Sequence, residues 1–120
     1  LWSSRKVNDE IFLDLTLVQR SSDYLVANYI NKTQYVALML MVASHVGFTP
    51  GVFVHFVQNL HIYDRHFNAV NEILNRKSLE IQPTIKLKKN KLFYDFTVDD
   101  FVIENTEGIK KIENKLELAI

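Results

Sequence analysis

The chain has 120 residues with 14 basic and 14 acidic side chains, so its formal net charge is zero with the histidines neutral. A protein that binds nucleic acid mainly through backbone phosphates carries a clear basic excess, and we expect no such partner here. The absence of cysteine excludes a disulfide framework, a thiolate metal site and a cysteine nucleophile within these residues. With 48% hydrophobic residues, 3 glycines and 2 prolines, the composition is typical of one folded domain.

No segment has the character of a membrane span or a signal peptide. The longest apolar run, Tyr35 to Ala43, is nine residues and too short to cross a bilayer. Residues 1–10 lack the apolar core of a signal peptide. We therefore expect a soluble, cytoplasmic protein. The first residue is Leu rather than Met, which suggests a fragment, although a processed chain would begin in the same way.

Hydrophobic periodicity predicts secondary structure in the order β-α-β-α-β-β. Residues 10–19 alternate between two faces, as a strand does, and residues 32–46 are apolar nearly all round, as in a buried helix. Thr33 is expected to cap this helix, and Gly47 is expected to end it in the left-handed conformation. Thr49-Pro50-Gly51 is predicted to be a turn.

The second half of the chain continues the alternation of strands and helices. Residues 52–63 are rich in β-branched and aromatic side chains and predict a long strand. Asp64 is expected to cap the next helix. The apolar face of that helix consists of Phe67, Val70, Ile73 and Leu74. Short strands are predicted at residues 85–88 and 101–103. This order predicts an α+β fold in which a mixed sheet packs on helices.

Arg20 and Ser21 stand where the first predicted strand enters a polar loop. A guanidinium is a planar fork of donors that suits a phosphate, and an adjacent hydroxyl supplies one more donor. A surface arginine in a solvated ion pair is the commoner arrangement. The residue pattern leaves both interpretations open.

His61 and Tyr63 are two residues apart on a predicted strand, so both rings are expected on one face. Such a pair can clasp a hydroxyl between its polar tips, or it can line the edge of the core. The other histidines, His45, His55 and His66, lack the spacing of metal ligands, and no metal site is predicted.

Five motifs follow one another along the chain. They are Leu17-Val18-Gln19-Arg20-Ser21-Ser22-Asp23, Asn31, His61-Ile62-Tyr63, Asp99-Asp100-Phe101 and Ala119-Ile120. In this order and at this spacing they resemble thymidylate synthase. The resemblance runs from about Glu10 to the end of the chain and corresponds to the C-terminal half of the family's proteins. It implies that residues 1–120 are the C-terminal portion of a thymidylate synthase domain with that part of the family's fold.

The resemblance implies a role for each matching residue. The positions implied to bind dUMP are Arg20, Ser21, Ser22, Asp23, Asn31, His61 and Tyr63, and those implied to contact the folate are Asp23 and Ala119. In the family, the residue matching Arg20 grips the phosphate with help from the one matching Ser21. Backbone amides at the next two positions contact the pyrimidine. The residues matching His61 and Tyr63 hold the 3′-hydroxyl of the deoxyribose.

Asn31 is the position that selects the base. A side-chain amide offers an acceptor and donors that match the imide N–H and neighbouring carbonyl of uracil. Cytosine presents the opposite pattern, and each buried mismatch costs about 1–3 kcal/mol. The related hydroxymethylases that act on dCMP carry Asp at this position, so Asn31 favours dUMP.

The resemblance also implies a reaction that this stretch cannot complete. In the family a cysteine thiolate adds to the pyrimidine, and methylenetetrahydrofolate supplies the one-carbon unit and the hydride that give dTMP. The position of that cysteine falls just before Leu1, so this chain alone is expected to be inactive. The family forms homodimers by packing sheets face to face. The alternative is a truncated, non-catalytic paralogue that acts as a dimerisation module.

The sequence departs from the family pattern in three places. Ala27-Asn28-Tyr29 replaces a Gly-rich loop before Asn31, which implies a bulkier folate face. Gln58-Asn59 replaces a Gly-Asp pair, which implies different hydrogen bonding beneath the base. Glu117 replaces a proline on the path to the last residues, which in the family fold over the bound ligands.

Overall fold

The computed structural model describes residues 1–80 and 82–117. Its elements are β1 (Trp2–Val7), β2 (Glu10–Asp23), α1 (Asn28–Val46), β3 (Thr49–His61), α2 (Phe67–Leu74), β4 (Thr84–Leu87) and β5 (Phe101–Glu104). Short 3₁₀ turns lie at Asp64–His66, Phe93–Asp95 and Val98–Asp100. The α+β class is confirmed, and β1 is a strand that the sequence pattern did not predict.

The strands form two separate sheets. The larger has the order β1-β2-β3 and is mixed, because β1 runs antiparallel to β2 while β3 runs parallel to it. A parallel connection needs a crossover, and α1 supplies it between β2 and β3. The second sheet is the antiparallel pair of β4 and β5. Because β2 and β3 are parallel, their carboxyl ends lie side by side, with Asp23 paired to His61.

The two faces of the larger sheet have different environments. Leu13 and Leu15 of β2 are buried on the face that packs against α1, where Met39 and Ala43 are also buried. The opposite face, called here the outer face, carries exposed apolar side chains. These are Val18, Val52, Val54 and Phe56, each between 48% and 60% exposed. The outer face is therefore apolar and has no cover within the described part of the chain.

The Thr49-Pro50-Gly51 segment is strand rather than turn, so that prediction is wrong. Its residues already pair with β2, and the register then shifts between Leu13 and Leu15, which is a β-bulge. Asp14 lies at the bulge, where its Oδ1 accepts a hydrogen bond from the Val52 N–H at 2.6 Å. A Cβ at Gly51 would overlap Asp14 Oδ1 and lie 2.9 Å from the Leu13 carbonyl oxygen, so only glycine fits there.

Helix α1 begins one turn earlier than predicted. Its N-cap is Ala27, which provides no side-chain hydrogen bond. Thr33 lies inside the helix, and its Oγ1 donates back to the Tyr29 carbonyl at 2.9 Å, so the prediction of Thr33 as the cap is wrong. The prediction for the other end is confirmed, because Gly47 takes the left-handed conformation with φ of 72°.

The junction between β3 and α2 also differs from the prediction. β3 ends at His61, and a 3₁₀ turn begins at Asp64, which makes no side-chain capping hydrogen bond. His66 takes the N-cap position of α2 instead, so the prediction of Asp64 as the cap is wrong. The buried residue of α2 is Ala69, while Phe67, Ile73 and Leu74 of the predicted apolar face are exposed.

Two side chains of α2 hold the C-terminal segment, which has no helix or strand over residues 105–117. Glu72 accepts hydrogen bonds from the backbone N–H groups of Glu113 and Asn114 and from Asn114 Nδ2. Arg76 pairs with Glu72 and donates to the carbonyls of Lys110 and Lys111. We call Glu72 and Arg76 the tail clasp.

Acid is expected to weaken both the tail clasp and the turn before β5. Hydrogen bonds from Asn114 and Glu113 hold the pKa of Glu72 at about 2, below its ordinary 4.5. Lys91 and the N–H of Thr97 hold the pKa of Asp100 at about 2, below its ordinary 3.8. Because both pKa values fall on folding, this stabilisation is complete above about pH 4.5 and is lost as the pH falls toward 2. Thermal melts between pH 2 and 7 measure it.

The matched variants for that measurement are Glu72→Gln and Asp100→Asn, which keep the side-chain shape and remove the titration. Each is expected to show a lower melting temperature at neutral pH and a smaller loss of stability on acidification than the unsubstituted chain. Parallel pH curves for all three proteins would contradict the assignment.

Candidate functional site

The carboxyl ends of β2 and β3 and the start of α1 meet at one edge of the larger sheet, called here the carboxyl edge. Ser21 pairs with Asn59 and Asp23 with His61, and the Tyr24 N–H donates to the His61 carbonyl at 2.8 Å. In open sheets with parallel strands, ligands bind outside such carboxyl ends, where loops and helix N-termini converge. The structure thus brings three of the predicted binding segments to one edge.

A cavity of about 360 Å³ opens at this edge, lined by Tyr24, Leu60, His61 and Ile62. Its volume lies within the usual range for small-molecule sites. A larger cavity of about 520 Å³ lies between α1 and the β4–β5 pair, and it is lined mainly by apolar side chains such as Ile85. Among the described residues, no charged side chain lines the larger cavity. The cavity at the carboxyl edge has the imidazole of His61 and the phenol of Tyr24 as groups that can hydrogen-bond a ligand.

Arg20 lies near the end of β2 and is exposed. No carboxylate of residues 1–80 and 82–117 pairs with its guanidinium, so the structure does not show the surface ion pair that was the other interpretation. Strand alternation places Arg20 on the outer face, on the same side as Val18. An anion held by Arg20 would therefore lie at the border between the carboxyl edge and the outer face.

Asp23 organises the loop that leads from β2 into α1. Its Oδ1 accepts hydrogen bonds from the N–H groups of Leu25 and Val26 at 3.0 and 3.3 Å, an Asx-type turn. Its Oδ2 faces the ring of His66. Ser22 is buried at 3% exposure, and its Oγ has no hydrogen-bond partner among the described residues. Ser22 is therefore closed to solvent, and Asp23 Oδ1 is already engaged within the loop.

His61 and Tyr63 lie together, although not for the predicted reason. Tyr63 follows the end of β3, and the two rings meet edge to face with centroids 5.0 Å apart. His61 Nδ1 lies 3.3 Å from the Asn59 carbonyl, which can only accept, so Nδ1 carries the proton. In the tautomer with its proton on Nδ1, Nε2 is the acceptor for a ligand hydroxyl.

Asn31 lies in the first turn of α1, where its backbone N–H donates to the Ala27 carbonyl at 2.9 Å. Its side chain is half-buried and makes no hydrogen bond within the part of the chain that the structure describes. Both the donor and the acceptor of the amide are therefore open to a ligand. Asn28, one turn earlier, is 2% exposed with an unpartnered Oδ1, and nothing in the sequence pattern predicted its burial.

Two further polar pairs were not predicted. On the inner face of the sheet, His55 Nε2 lies 2.8 Å from Gln19 Oε1, and burial followed by the charge of Lys32 lowers the pKa of His55. Beside the cavity, Tyr29 Oη donates to Tyr24 Oη at 3.1 Å, and this hydrogen bond with burial raises the pKa of Tyr29 to about 12. Strand alternation was the signal for the first pair, because Gln19 and His55 both point inward.

Some predictions fall outside this geometry. Ala119 lies outside the described residues. Within residues 1–80 and 82–117, no three acidic or histidine side chains gather as a metal site would require. Over the same ranges, none of the helices combines the length and the apolar character that crossing a bilayer demands.

A mixed sheet with a crossover helix packed on one face and polar residues at its carboxyl edge is typical of enzymes that bind small molecules. Residues 3–118 match the family model described as thymidylate synthase. The chain belongs to the thymidylate synthase family, whose enzymes are methyltransferases of dTMP synthesis.

Curated relatives agree with the family match. The chain is 43% identical to a thymidylate synthase of Streptococcus suis over its whole length, which covers 43% of that relative. It is 45% identical to a thymidylate synthase of Streptococcus mutans, again over its whole length and 43% of that relative. For one of Streptococcus pyogenes the identity is 42%, over 92% of this chain and 40% of the relative. The chain therefore spans about two fifths of the length of these relatives.

Proposed function

We propose that residues 1–120 form the C-terminal, dUMP-binding portion of a thymidylate synthase. Two findings together support this proposal. The family match covers nearly the whole chain, and Arg20, Asn31 and His61 come to one edge of the sheet from three separate elements. In the family, these positions bind the phosphate, the base and the sugar of one nucleotide.

The phosphate is bound by Arg20, while strand alternation turns the Ser21 side chain to the opposite face of β2, so the role of Ser21 at the phosphate is carried by the resemblance alone. The guanidinium is exposed and has no carboxylate partner in the described ranges, so binding an anion breaks no existing ion pair. Paired N–H donors suit phosphate oxygens in a fixed, bidentate geometry. Its place on the outer-face side also leaves room for a second protein chain to approach the same phosphate.

The sugar and the base are bound on the other side of the edge. The 3′-hydroxyl donates to His61 Nε2 and accepts from the Tyr63 hydroxyl. The centroids of these two rings already lie 5.0 Å apart. The uracil imide and carbonyl pair with the Asn31 amide at the start of α1. Asp23 holds the loop beneath the base through the N–H groups of Leu25 and Val26.

The reaction needs groups that this chain lacks. The family's co-substrate, methylenetetrahydrofolate, supplies the one-carbon unit and the hydride, and a cysteine thiolate activates the pyrimidine. This sequence contains no cysteine, so we propose that the thiolate belongs to another part of a longer protein. Residues 1–120 bind and orient dUMP, and Ala119 with Asp23 would face the folate.

The outer face is the proposed homodimer interface. Its exposed side chains, Val18, Val52, Val54 and Phe56, form an apolar surface on a sheet, which suits packing against the same surface of a second copy. This surface also supports the alternative of a truncated paralogue that dimerises without chemistry. The gene sequence upstream of Leu1 separates the two. A cysteine codon close by and a long preceding segment would establish the enzyme, whereas a start codon there would establish the paralogue.

Arg20→Ala is expected to weaken dUMP binding by the full-length protein about 10- to 100-fold, because charged hydrogen bonds contribute about 1.5–3 kcal/mol. Arg20→Lys is the matched control, because it keeps the charge and loses the paired donors of the guanidinium. Its dUMP affinity should lie between those of the unsubstituted protein and the Arg20→Ala variant. Calorimetry measures the affinities, and conversion of dUMP to dTMP measures turnover. Unchanged turnover in the Arg20→Ala, Asn31→Ala double variant would refute the assigned roles. Turnover by residues 1–120 alone would refute the proposal that the catalytic thiolate lies in another part of a longer protein.

A further inference from the structure

His66 is the most enclosed of the large polar side chains, with 1% exposure, on the 3₁₀ turn between β3 and α2. A buried imidazole is stable only where its nitrogens find partners. Its Nε2 lies 2.9 Å from the carbonyl oxygen of Glu117, 51 residues further along the chain. A carbonyl only accepts, so Nε2 carries a proton and donates to the C-terminal segment.

The other nitrogen of His66 faces the carboxyl edge. Its Nδ1 is buried without a hydrogen-bond partner among the described residues and lies 3.8 Å from Asp23 Oδ2. Both atoms are acceptors when the proton is on Nε2, and one water that donates to each of them can bridge this gap. The same Asp23 carboxylate holds the N–H groups of Leu25 and Val26 through Oδ1. The ring therefore lies between the C-terminal segment and the carboxylate that orders the loop before α1.

The tail clasp does not connect the C-terminal segment to Asp23. Glu72 and Arg76 lie on α2 and reach residues 110–114, and neither forms a hydrogen bond or an ion pair with Asp23 in the described residues. At residue 117, the backbone contact that crosses to another element is the one from His66. The ring of Tyr63 lies edge to face with those of His61 and His66, with centroid distances of 5.0 and 6.1 Å. His66 therefore also packs against the His61–Tyr63 pair that is proposed to bind the sugar.

We propose that His66 is a positioning residue that ties the C-terminal segment at Glu117 to Asp23. Seating of the tail and order of the loop at Leu25 and Val26 then change together. The functional meaning of the tie rests on the proposed function, because Asp23 and the tail would face the ligands. The tie itself is a property of the chain without ligand.

Two substitutions separate the nitrogens of the ring. The amide nitrogen of His66→Gln reaches the place of Nε2 and can still donate to the Glu117 carbonyl. The amide of His66→Asn reaches only the place of Nδ1, so it loses the tail. Both remove the ring and create similar cavities, which makes them matched controls for packing. Amide hydrogen exchange in residues 1–120 without ligand reports the tail and the loop separately.

We expect His66→Asn to lower protection about tenfold both at residues 115–117 and at Leu25 and Val26, which is the size of one net hydrogen bond. His66→Gln should retain most of it at residues 115–117 and lose it at Leu25 and Val26, because its amide leaves the place of Nδ1, which faces Asp23, empty. Glu72→Gln should release residues 113–114 and leave Leu25 and Val26 unchanged. Equal losses at residues 115–117 in the Asn and Gln variants would reduce His66 to packing and overturn the proposal. Loss at the tail without loss at the loop would overturn it too.

A calorimetric dUMP titration of the unsubstituted full-length protein tests the proposed function separately from the tie at His66. Normal exchange results with no dUMP binding would overturn the proposed function and leave the tie standing. If His66→Asn does not fold, the two separate variants His66→Gln and Glu72→Gln still decide. Protection retained at residues 115–117 and lost at Leu25 and Val26 in His66→Gln supports the tie, whereas a loss at both places or at neither contradicts it.

Discussion

Asn31→Asp is expected to shift the base preference of the full-length protein from dUMP toward dCMP. The amide of Asn31 is half-buried at the start of α1 and makes no hydrogen bond within the described ranges, so its pairing pattern is available to the base. A carboxylate loses the donor that the uracil carbonyl needs and gains an acceptor for the cytosine amino group. At about 1–3 kcal/mol for each buried mismatch, the ratio of the two affinities should change by 10-fold or more.

Competition calorimetry with dUMP and dCMP measures that ratio directly. Asn31→Ala is the matched control, because it removes both donor and acceptor and should weaken discrimination without reversing it. Undiminished preference for dUMP in the Asp variant would show that Asn31 does not contact the base. Arg20→Ala should weaken both nucleotides equally, since the phosphate is common to them.

Gly51→Ala is expected to destabilise the fold by about 3 kcal/mol, toward the upper end of overpacking costs. The new methyl would overlap Asp14 Oδ1 and press on the Leu13 carbonyl, inside the β-bulge between β2 and β3. The hydrogen bond from the Val52 N–H to Asp14 would be displaced as well. Urea unfolding of residues 1–120 measures the change in the free energy of unfolding.

Gly47→Ala is the matched control for Gly51→Ala. Nothing lies within 4 Å of a Cβ at Gly47, so its cost is only the left-handed backbone with φ of 72°, about 1–2 kcal/mol. Adding Asp14→Ala to Gly51→Ala should recover part of the loss, since it removes one of the two clashing atoms. A smaller effect at Gly51 than at Gly47 would contradict the geometry of the bulge.

The bulge matters for the site because it sets the register of the strands beyond it. Asp23 pairs with His61 only after the shift between Leu13 and Leu15. A slip by one residue would turn each side chain of β3 to the other face, which would move His61 away from the carboxyl edge. Gly51 is therefore a structural requirement of the proposed nucleotide site, although it lies far along the strand from it.

Several elements were predictable because their residues carry a local pattern. The alternation in β2, the apolar α1 and the stop at Gly47 are properties of neighbouring residues, and all three are present. β1 was missed because all six of its residues are exposed and include Ser, Arg and Lys, so no apolar alternation marks it. It is a strand because its backbone pairs with the edge of β2.

The Pro-Gly pair at residues 50–51 shows the opposite error. Its composition is that of a turn, yet the segment extends β3, because backbone pairing with β2 and the carboxylate of Asp14 satisfy its polar groups. The start of α1 was misplaced for a related reason. Asp23 orders the preceding loop through the N–H groups of Leu25 and Val26, and the helix begins from that loop at Asn28 without a side-chain cap.

For the candidate site, the sequence by itself determined which chemical groups are proposed. Arg20, Asn31, His61 and Tyr63 are candidates because side-chain chemistry and motif spacing are local and can be read without coordinates. Only the tertiary structure decided that His66 stands between Asp23 and Glu117, that Ser22 and Asn28 are buried, and that the outer face is uncovered. Contacts of this kind depend on the register of β2 and β3 and on the path of the tail, and neither follows from any short stretch of residues.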